Sequence, residues 1–295
     1  MKQYPVQFAK LPSAETMAYR VAGEGRPVLL IHGNQSASPH WFPLMERLEN
    51  DFQLIAVDLI GCGDSSYNKR FDSLYELAVH VDQLMEILGL QSIPVIGWST
   101  GGGVAMELAA SFPERVSHLL LLSSVGLGGY PVYNFGADGK PILSERLCTK
   151  EQIAEHPVSV KPVLAAYEAG NREFMKSVWN SVIYQMKPVP DADFEIYLDA
   201  MFKQRNLIDI IYALSQFNFK HESNGCAPGT GKVDRLTMPV TILQGMKDLV
   251  VPYVWADEIK AALGDKATLH RFENGGHSLL TDSLDELETI LKEAL

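Results

Sequence analysis

The sequence predicts an α/β protein in which a mainly parallel central sheet is flanked by helices on both faces. Short apolar segments alternate with longer amphipathic segments through the first 125 residues, which is the pattern of strands joined by crossover helices. A serine between glycines stands where one apolar segment passes directly into a helix of small residues. The length of 295 residues is sufficient for one large core with an inserted segment.

The N-terminal part of the chain alternates between strands and helices. One helix begins at Ser73, whose side chain forms a capping box with Glu76, and ends at Gly89. Its apolar side chains repeat at the spacing of a single helix face. The predicted strands cover 17–21, 28–31, 54–58, 93–96 and 119–122, and the predicted helices cover 41–48, 73–88 and 101–112.

The same alternation returns near the C-terminus. Residues 241–245 form an apolar strand candidate that ends in a turn at Asp248, and Pro252 suits the first position of a helix over 253–263. A further strand over 268–272 is followed by a glycine-rich loop that ends at His277. Both Asp248 and His277 therefore follow strands, at the sheet edge where parallel sheets carry their chemistry.

The pattern changes between residues 126 and 232, a range that we call the inserted segment. It begins and ends with glycine-rich stretches, and between them lie helix candidates with many large aromatic side chains. We interpret 1–125 and 233–295 as the core that contains the sheet, and 126–232 as a helical cap, or lid, inserted after the sixth strand. Most of the aromatic side chains are expected to form the core of this lid, and the others to line an apolar tunnel.

Residues 97–101 read Gly-Trp-Ser-Thr-Gly and match the nucleophile elbow, in which a serine occupies a strained turn between a strand and a helix. Glycines two residues before and after Ser99 allow the backbone segments to approach closely. The helix N-terminus would place free N–H groups beside the serine oxygen. The position of Ser99 predicts a nucleophile.

A serine nucleophile needs a base, and the base needs an orienting acid. The chain order Ser99, Asp248, His277 is the order that accompanies this elbow. Asp282 is an alternative acid, and Asp248 is preferred because it follows a strand. The predicted catalytic residues are therefore Ser99, Asp248 and His277.

The predicted oxyanion hole combines two backbone N–H groups. One belongs to Asn34, in the loop after the strand at 28–31, and the other belongs to Thr100. Such donors contribute about 3–4 kcal/mol each to transition-state stabilisation. His32 is expected to support this loop by hydrogen bonding. We expect the substrate to contact Trp98, Trp179 and Leu249, although Trp98 could instead pack in the core.

Composition excludes several other classes of function. The net charge of −11 disfavours nucleic acids and anionic membranes as partners, and no apolar run is long enough for an integral membrane segment. No histidine, cysteine or carboxylate pattern predicts a metal, and no cofactor is expected. Cys62, Cys148 and Cys226 are odd in number and far apart, so we expect no disulfide framework and a cytoplasmic protein without a signal peptide.

Taken together, these motifs resemble the α/β hydrolase superfamily over nearly the whole chain, and most closely the intracellular poly(3-hydroxybutyrate) depolymerases of the Bacillus type. The similar stretches are 32–34, 58–68, 97–106, 124–131, 204–206, 212–214 and 276–278. The resemblance implies the same roles for Ser99, Asp248 and His277. Thr100 departs from it, since this family would have methionine there, which affects the shape of the pocket but not a backbone N–H.

The expected function is carboxylic ester hydrolysis through an acyl-enzyme, with 3-hydroxybutyrate oligomers or polymer as the preferred substrate. A small aliphatic ester or an acyl-homoserine lactone would suit the same apolar lid. A peptidase, a C–C hydrolase and a perhydrolase remain alternatives on the same three residues. A ligand receptor without catalytic activity is the alternative from another class. The sequence leaves the oligomeric state open.

Overall fold

A computed structural model describes residues 1–136 and 138–295. The strands are β1 (Val6–Lys10), β2 (Thr16–Ala22), β3 (Arg26–Ile31), β4 (Phe52–Val57), β5 (Ile93–Trp98), β6 (Val116–Leu122), β7 (Tyr133–Phe135), β8 (Pro141–Arg146), β9 (Val240–Gly245) and β10 (Ala267–Phe272). The helices are α1 (Phe42–Leu48), α2 (Leu74–Ile87), α3 (Thr100–Ser111), α4 (Lys150–Ala154), α5 (Lys161–Ala169), α6 (Arg172–Val182), α7 (Asp191–Met201), α8 (Leu207–Gln216), α9 (Val254–Leu263), α10 (Leu279–Asp282) and α11 (Leu284–Ala294).

The central sheet has eight strands in the order β1-β2-β4-β3-β5-β6-β9-β10. All neighbouring pairs from β4 to β10 are parallel, whereas β2 is antiparallel to both β1 and β4. Apolar side chains cover both faces, with α2, α3 and α9 on one and α1 and α11 on the other. The predicted α/β class, with a mainly parallel sheet between helices, is confirmed.

Helix α2 begins at a capping box and ends before a glycine, as the sequence predicts. The Ser73 side chain accepts a hydrogen bond from the backbone N–H of Glu76, and the Glu76 carboxylate bonds back to Ser73, which completes the predicted capping box. The helix ends before Gly89, whose φ of +66° favours glycine. The N-terminal strand β1 and the C-terminal helices α10 and α11 were not predicted.

The inserted segment contains more than helices. Strands β7 and β8 form an antiparallel hairpin directly after β6, and α4 to α8 follow. Helix α8 packs against the sheet core, because Ile210, Ala213 and Leu214 share one buried cluster with residues of α2 and α3. The prediction of a purely helical insertion was therefore incomplete.

The expectation that the cysteines form no disulfide was wrong. Cys148 and Cys226 are joined by a disulfide with their Cα atoms 5.2 Å apart, although 78 positions separate them in the sequence. Cys62 is buried and free. Folding of the inserted segment brings the two cysteines together, and their wide spacing concealed this. Cysteine usage consequently gives no support to a reducing compartment.

A buried carboxylate fastens α8 to the core. Asp209 has an almost completely buried side chain, and it accepts hydrogen bonds from Arg70 Nε at 3.0 Å and from the hydroxyl of Tyr67. Lys150 Nζ lies 2.9 Å from the same carboxylate. These hydrogen bonds and cations outweigh the effect of burial and lower the pKa of Asp209.

Candidate active site

Ser99 occupies a strained turn between β5 and α3. Its backbone has φ of +55° and ψ of −120°, a conformation that residues other than glycine rarely adopt. The turn is held by the Ser99 N–H, which donates to the carbonyl of Leu122 at 3.0 Å, and by the Ser99 carbonyl, which accepts from Gly102 N–H at 3.0 Å. The predicted strand–turn–helix geometry is present at Ser99.

The glycines around Ser99 are required by close backbone contacts. A Cβ atom at Gly97 would lie 2.4 Å from the carbonyl oxygen of Gly101, which is the crowding that the sequence predicts. At Gly101 the obstacle differs, because a Cβ atom there would lie 2.1 Å from the carbonyl oxygen of Ile31 in β3. Both distances are too short for any side chain.

Asp248 and His277 form a hydrogen-bonded pair after β9 and β10. Asp248 Oδ2 lies 2.8 Å from His277 Nδ1, and both side chains are buried. The other carboxylate oxygen accepts the backbone N–H groups of Val250 and Val251 at 2.7 and 2.8 Å. With Nδ1 engaged by Asp248, the opposite nitrogen, Nε2, is the one available as a base.

Asp282, the alternative acid, has a different partner. Its Oδ2 accepts the backbone N–H of Gly276 at 2.8 Å, which supports the loop that carries His277 without contacting the imidazole. Burial raises the pKa of Asp282 to about 6. Asp248 is thus the carboxylate that bonds the imidazole.

Trp98 lies beneath the site. Its indole is 2% exposed, and its Nε1 donates to the backbone carbonyl of His277 at 3.0 Å. The Trp98 and His277 rings pack with their centroids 5.7 Å apart. Trp98 does not line the cavity described below, so its proposed substrate contact is replaced by the packing alternative.

His32 holds the loop that follows β3. Its Nε2 accepts the backbone N–H of Leu59 at 3.0 Å, so its Nδ1 carries the proton and donates to the carbonyl of Gly33 at 2.7 Å. Complete burial lowers the pKa of His32, which keeps the ring neutral. Gly33 is pressed against Ser99, since a Cβ atom at Gly33 would lie 2.9 Å from the serine Cβ.

Asn34 and Thr100, the predicted oxyanion donors, both line the cavity beside Ser99. Thr100 is the first residue of α3, where a backbone N–H has no acceptor within the helix. The side-chain oxygen of Asn34 accepts the N–H of Gln35 at 2.9 Å and Nε2 of Gln204 at 2.8 Å. The contact with Gln204 was not predicted from the sequence, where Gln204 stands only in the similar stretch 204–206.

A cavity of about 460 Å³ opens above Ser99 and His277. The core provides one side of its wall and the inserted segment provides the other. Its lining is mainly apolar, and within the described ranges it includes no lysine, arginine, aspartate or glutamate side chain. Trp179 and Leu249, which were predicted to contact the substrate, both line it; Trp179 is buried, and Leu249 is 64% exposed at the surface.

His277 is the one imidazole of the lining that is joined to a carboxylate. His156, on the opposite wall, accepts the N–H of Ser159 at 3.0 Å on Nδ1 and donates from Nε2 to the carbonyl of Tyr133 at 3.2 Å. Ser99 and His277 both line the cavity, and the described residues show no direct hydrogen bond between their side chains. In enzymes without bound substrate, the hydrogen bond between a nucleophile and its base is often long and tightens when substrate binds.

The described residues also limit the other kinds of site. They include no group of three or more histidine, cysteine or carboxylate side chains that could hold a metal ion. None of the helices in the described ranges combines the length and apolar character that crossing a membrane requires.

The sheet order, the strained serine and the pair formed by Asp248 and His277 define the class as an α/β hydrolase fold. A family model described as the alpha/beta hydrolase fold matches residues 26–135. Among curated proteins, an uncharacterised protein of Mycobacterium tuberculosis is 28% identical over 268 residues, which cover 88% of this chain and 72% of the relative.

Solved structures agree with this fold. An esterase from Exiguobacterium antarcticum superposes with a TM-score of 0.73 at 18% identity and covers 97% of this chain and 98% of its own. The enol-lactonase from Burkholderia xenovorans gives a TM-score of 0.73 at 15% identity with the same coverage. These matches show that the chain has the α/β hydrolase fold.

Proposed function

We propose that this chain is a serine hydrolase of carboxylic esters in which Ser99 is the nucleophile, His277 the base and Asp248 the orienting acid. The observation that carries the proposal is the 2.8 Å hydrogen bond between Asp248 and His277 Nδ1. It leaves Nε2 as the free nitrogen of an imidazole that lines the same cavity as Ser99. The strained backbone at Ser99 supports the same assignment.

The proposed reaction has two acyl-transfer steps. His277 Nε2 takes the Ser99 proton while Oγ attacks the ester carbonyl, and Asp248 stabilises the imidazolium that results. The N–H groups of Asn34 and Thr100 bind the negatively charged oxygen of the tetrahedral intermediate. His277 then protonates the departing alcohol, and water attacks the acyl-enzyme by the reverse sequence to release the acid.

The proposed substrate is a neutral ester, with 3-hydroxybutyrate oligomers or amorphous polymer as the preferred candidate. Among the described residues the cavity wall has no lysine, arginine, aspartate or glutamate side chain, so it offers no ion-pair partner for a free carboxylate, whereas it suits an ester chain of low polarity. Leu249 and Val158, at 64% and 57% exposure, line the same cavity and give it apolar surface that reaches solvent.

We further propose that residues 126–232 act as a lid on a core formed by 1–125 and 233–295. The inserted segment supplies the cavity wall opposite Ser99, including Trp179, Ile183 and Leu214. A wall of this kind excludes water from the acyl-enzyme and selects substrates by shape.

The test combines active-site titration with three substrates. A p-nitrophenyl ester should release a burst of p-nitrophenol equal to the enzyme concentration, and Ser99→Ala should abolish turnover. Ser215→Ala is the matched control, since this buried serine of α8 bonds the carbonyl of Tyr212, away from the cavity. Hydrolysis rates for a 3-hydroxybutyrate dimer, an acyl-homoserine lactone and a proline amide then separate the substrate classes.

The possible outcomes distinguish the catalytic assignment, the preferred substrate and the receptor alternative. Full activity in Ser99→Ala would refute the catalytic assignment. Turnover of the lactone with negligible turnover of the dimer would retain the mechanism and reject the preferred substrate. Tight ligand binding without turnover of any ester would favour a receptor.

A further inference from the structure

Gln204 lies in the short connection between α7 and α8, and its amide group is buried against the oxyanion loop. Its Nε2 donates to Asn34 Oδ1 at 2.8 Å and to Asn206 Oδ1 at 2.9 Å. Its Oε1 accepts from the Tyr167 hydroxyl at 3.3 Å. Both amide N–H groups and the amide oxygen therefore have partners, which fixes the orientation of the side chain.

Residues beside Gln204 tie it to the core. Asn206 Nδ2 donates to the carbonyl of Ile60 at 2.6 Å, and the backbone N–H of Arg205 donates to the carbonyl of Gly61 at 2.8 Å. Gly61 is packed so tightly that a Cβ atom there would lie 2.8 Å from Asn206 Cβ. The connection between α7 and α8 is consequently fixed to the core by contacts that do not involve Asn34.

Gln204 contacts the loop after β3 through the side chain of Asn34. Asn34 Oδ1 accepts from both Gln204 and the N–H of Gln35, whose φ of +55° is unusual for a residue with a side chain. The Gln35 side chain accepts from Trp179 Nε1 at 3.4 Å, a second contact from the inserted segment. Both loop residues are thus held by the inserted segment.

We propose that Gln204 is a positioning residue for the oxyanion hole, an inference that rests on the ester hydrolase function proposed above. By holding the Asn34 side chain, Gln204 fixes the peptide that carries the Asn34 N–H. An N–H group fixed in advance stabilises the developing negative charge without reorganising during the reaction. The inserted segment then contributes to catalysis through the orientation of a backbone donor as well as through the cavity wall.

The test replaces Gln204 by leucine, which keeps a similar size and removes the donor. The expected result is a decrease in kcat of about 10- to 100-fold with KM nearly unchanged, because a misplaced donor weakens transition-state binding more than substrate binding. An alkylboronic acid, which forms a tetrahedral adduct with a serine nucleophile, should lose affinity by the same factor. Gln216→Leu is the matched control, since Gln216 bonds the carbonyl of Cys148 at 3.2 Å and lies outside the site.

A double-mutant cycle with Asn34→Ala distinguishes positioning from general stability. Because Gln204 acts through the Asn34 side chain, the double variant should be no slower than Asn34→Ala alone. An unchanged kcat in Gln204→Leu, additive losses in the double variant, or a lower Tm without loss of boronic acid affinity would each overturn the inference. Activity that persists in Ser99→Ala would instead refute the underlying ester hydrolase proposal, so the two failures are distinguishable.

Discussion

Removal of the Cys148–Cys226 disulfide is expected to destabilise the protein strongly. The cross-link joins positions 78 residues apart and restricts the unfolded chain accordingly. The loop-closure relation gives about 4.5 kcal/mol at room temperature for a loop of this length, as an upper value for a bond that adds no strain. Since unfolding of a chain of this size exposes a large surface, the urea midpoint should fall by about 1–2 M.

The assay follows urea unfolding by tryptophan fluorescence in the presence and absence of a reductant. Cys148→Ser/Cys226→Ser should unfold at the lower midpoint in both conditions, whereas Cys62→Ala should keep the sensitivity to reductant, because Cys62 is free. Thiol titration of the denatured protein should count one cysteine before reduction and three after it. Superimposable curves for the oxidised and reduced protein would refute the stabilising role of this cross-link.

Three further predictions follow from the geometry. Gly101→Ala places a Cβ atom 2.1 Å from the Ile31 carbonyl, so kcat/KM for an ester should fall by about 10²-fold or more, and unchanged kinetics would contradict the close-packed elbow. Asp209→Asn leaves Arg70 and Lys150 without their buried partner and should reduce the free energy of unfolding by about 2–3 kcal/mol, measured by urea denaturation; an unchanged midpoint would show that α8 is held by other contacts. The folded state raises the pKa of Asp282 from 3.8 to about 6, so the stability that its protonated form contributes is present below pH 3.8 and is lost as the pH rises through about 6. Asp282→Asn, which stays uncharged, should therefore gain Tm relative to the parent between pH 4 and pH 7.5, and a difference independent of pH would reject this reasoning.

Local chemistry made much of the core predictable. The capping box at Ser73 marks the start of α2, and Gly89 marks its end. Both signals can be read from residues that are close together in the sequence. Strands β3, β5, β6 and β9 are mostly apolar because both faces of a parallel sheet are covered. The turn at Ser99 depends on Gly97 and Gly101, which lie two residues before and after it, so the turn could also be recognised from the sequence.

The features that were missed either lack a buried apolar pattern or depend on contacts between distant parts of the chain. The loop between β7 and β8 contains the turn motif Asp138-Gly139, but the two strands are largely exposed and lack the alternating pattern that marks a half-buried strand. Cys148 and Cys226 meet only after the inserted segment has folded. Gln204 likewise looks like an ordinary polar loop residue until the structure shows that its amide reaches Asn34, 170 positions earlier in the sequence.

The position of Trp98 follows from the alternation of side chains along β5. Side chains alternate between the two faces of a strand, so Trp98 must share a face with Ile96 and not with Val95 or Gly97. The structure places Ile96 and Trp98 in the cluster with Trp41, on the face covered by α1 and α11, whereas Val95 belongs to the opposite cluster. A tryptophan on that face packs below the turn, and its indole N–H can reach the loop that carries His277. The residue next to the proposed nucleophile can therefore support the loop that carries the proposed base without lining the cavity.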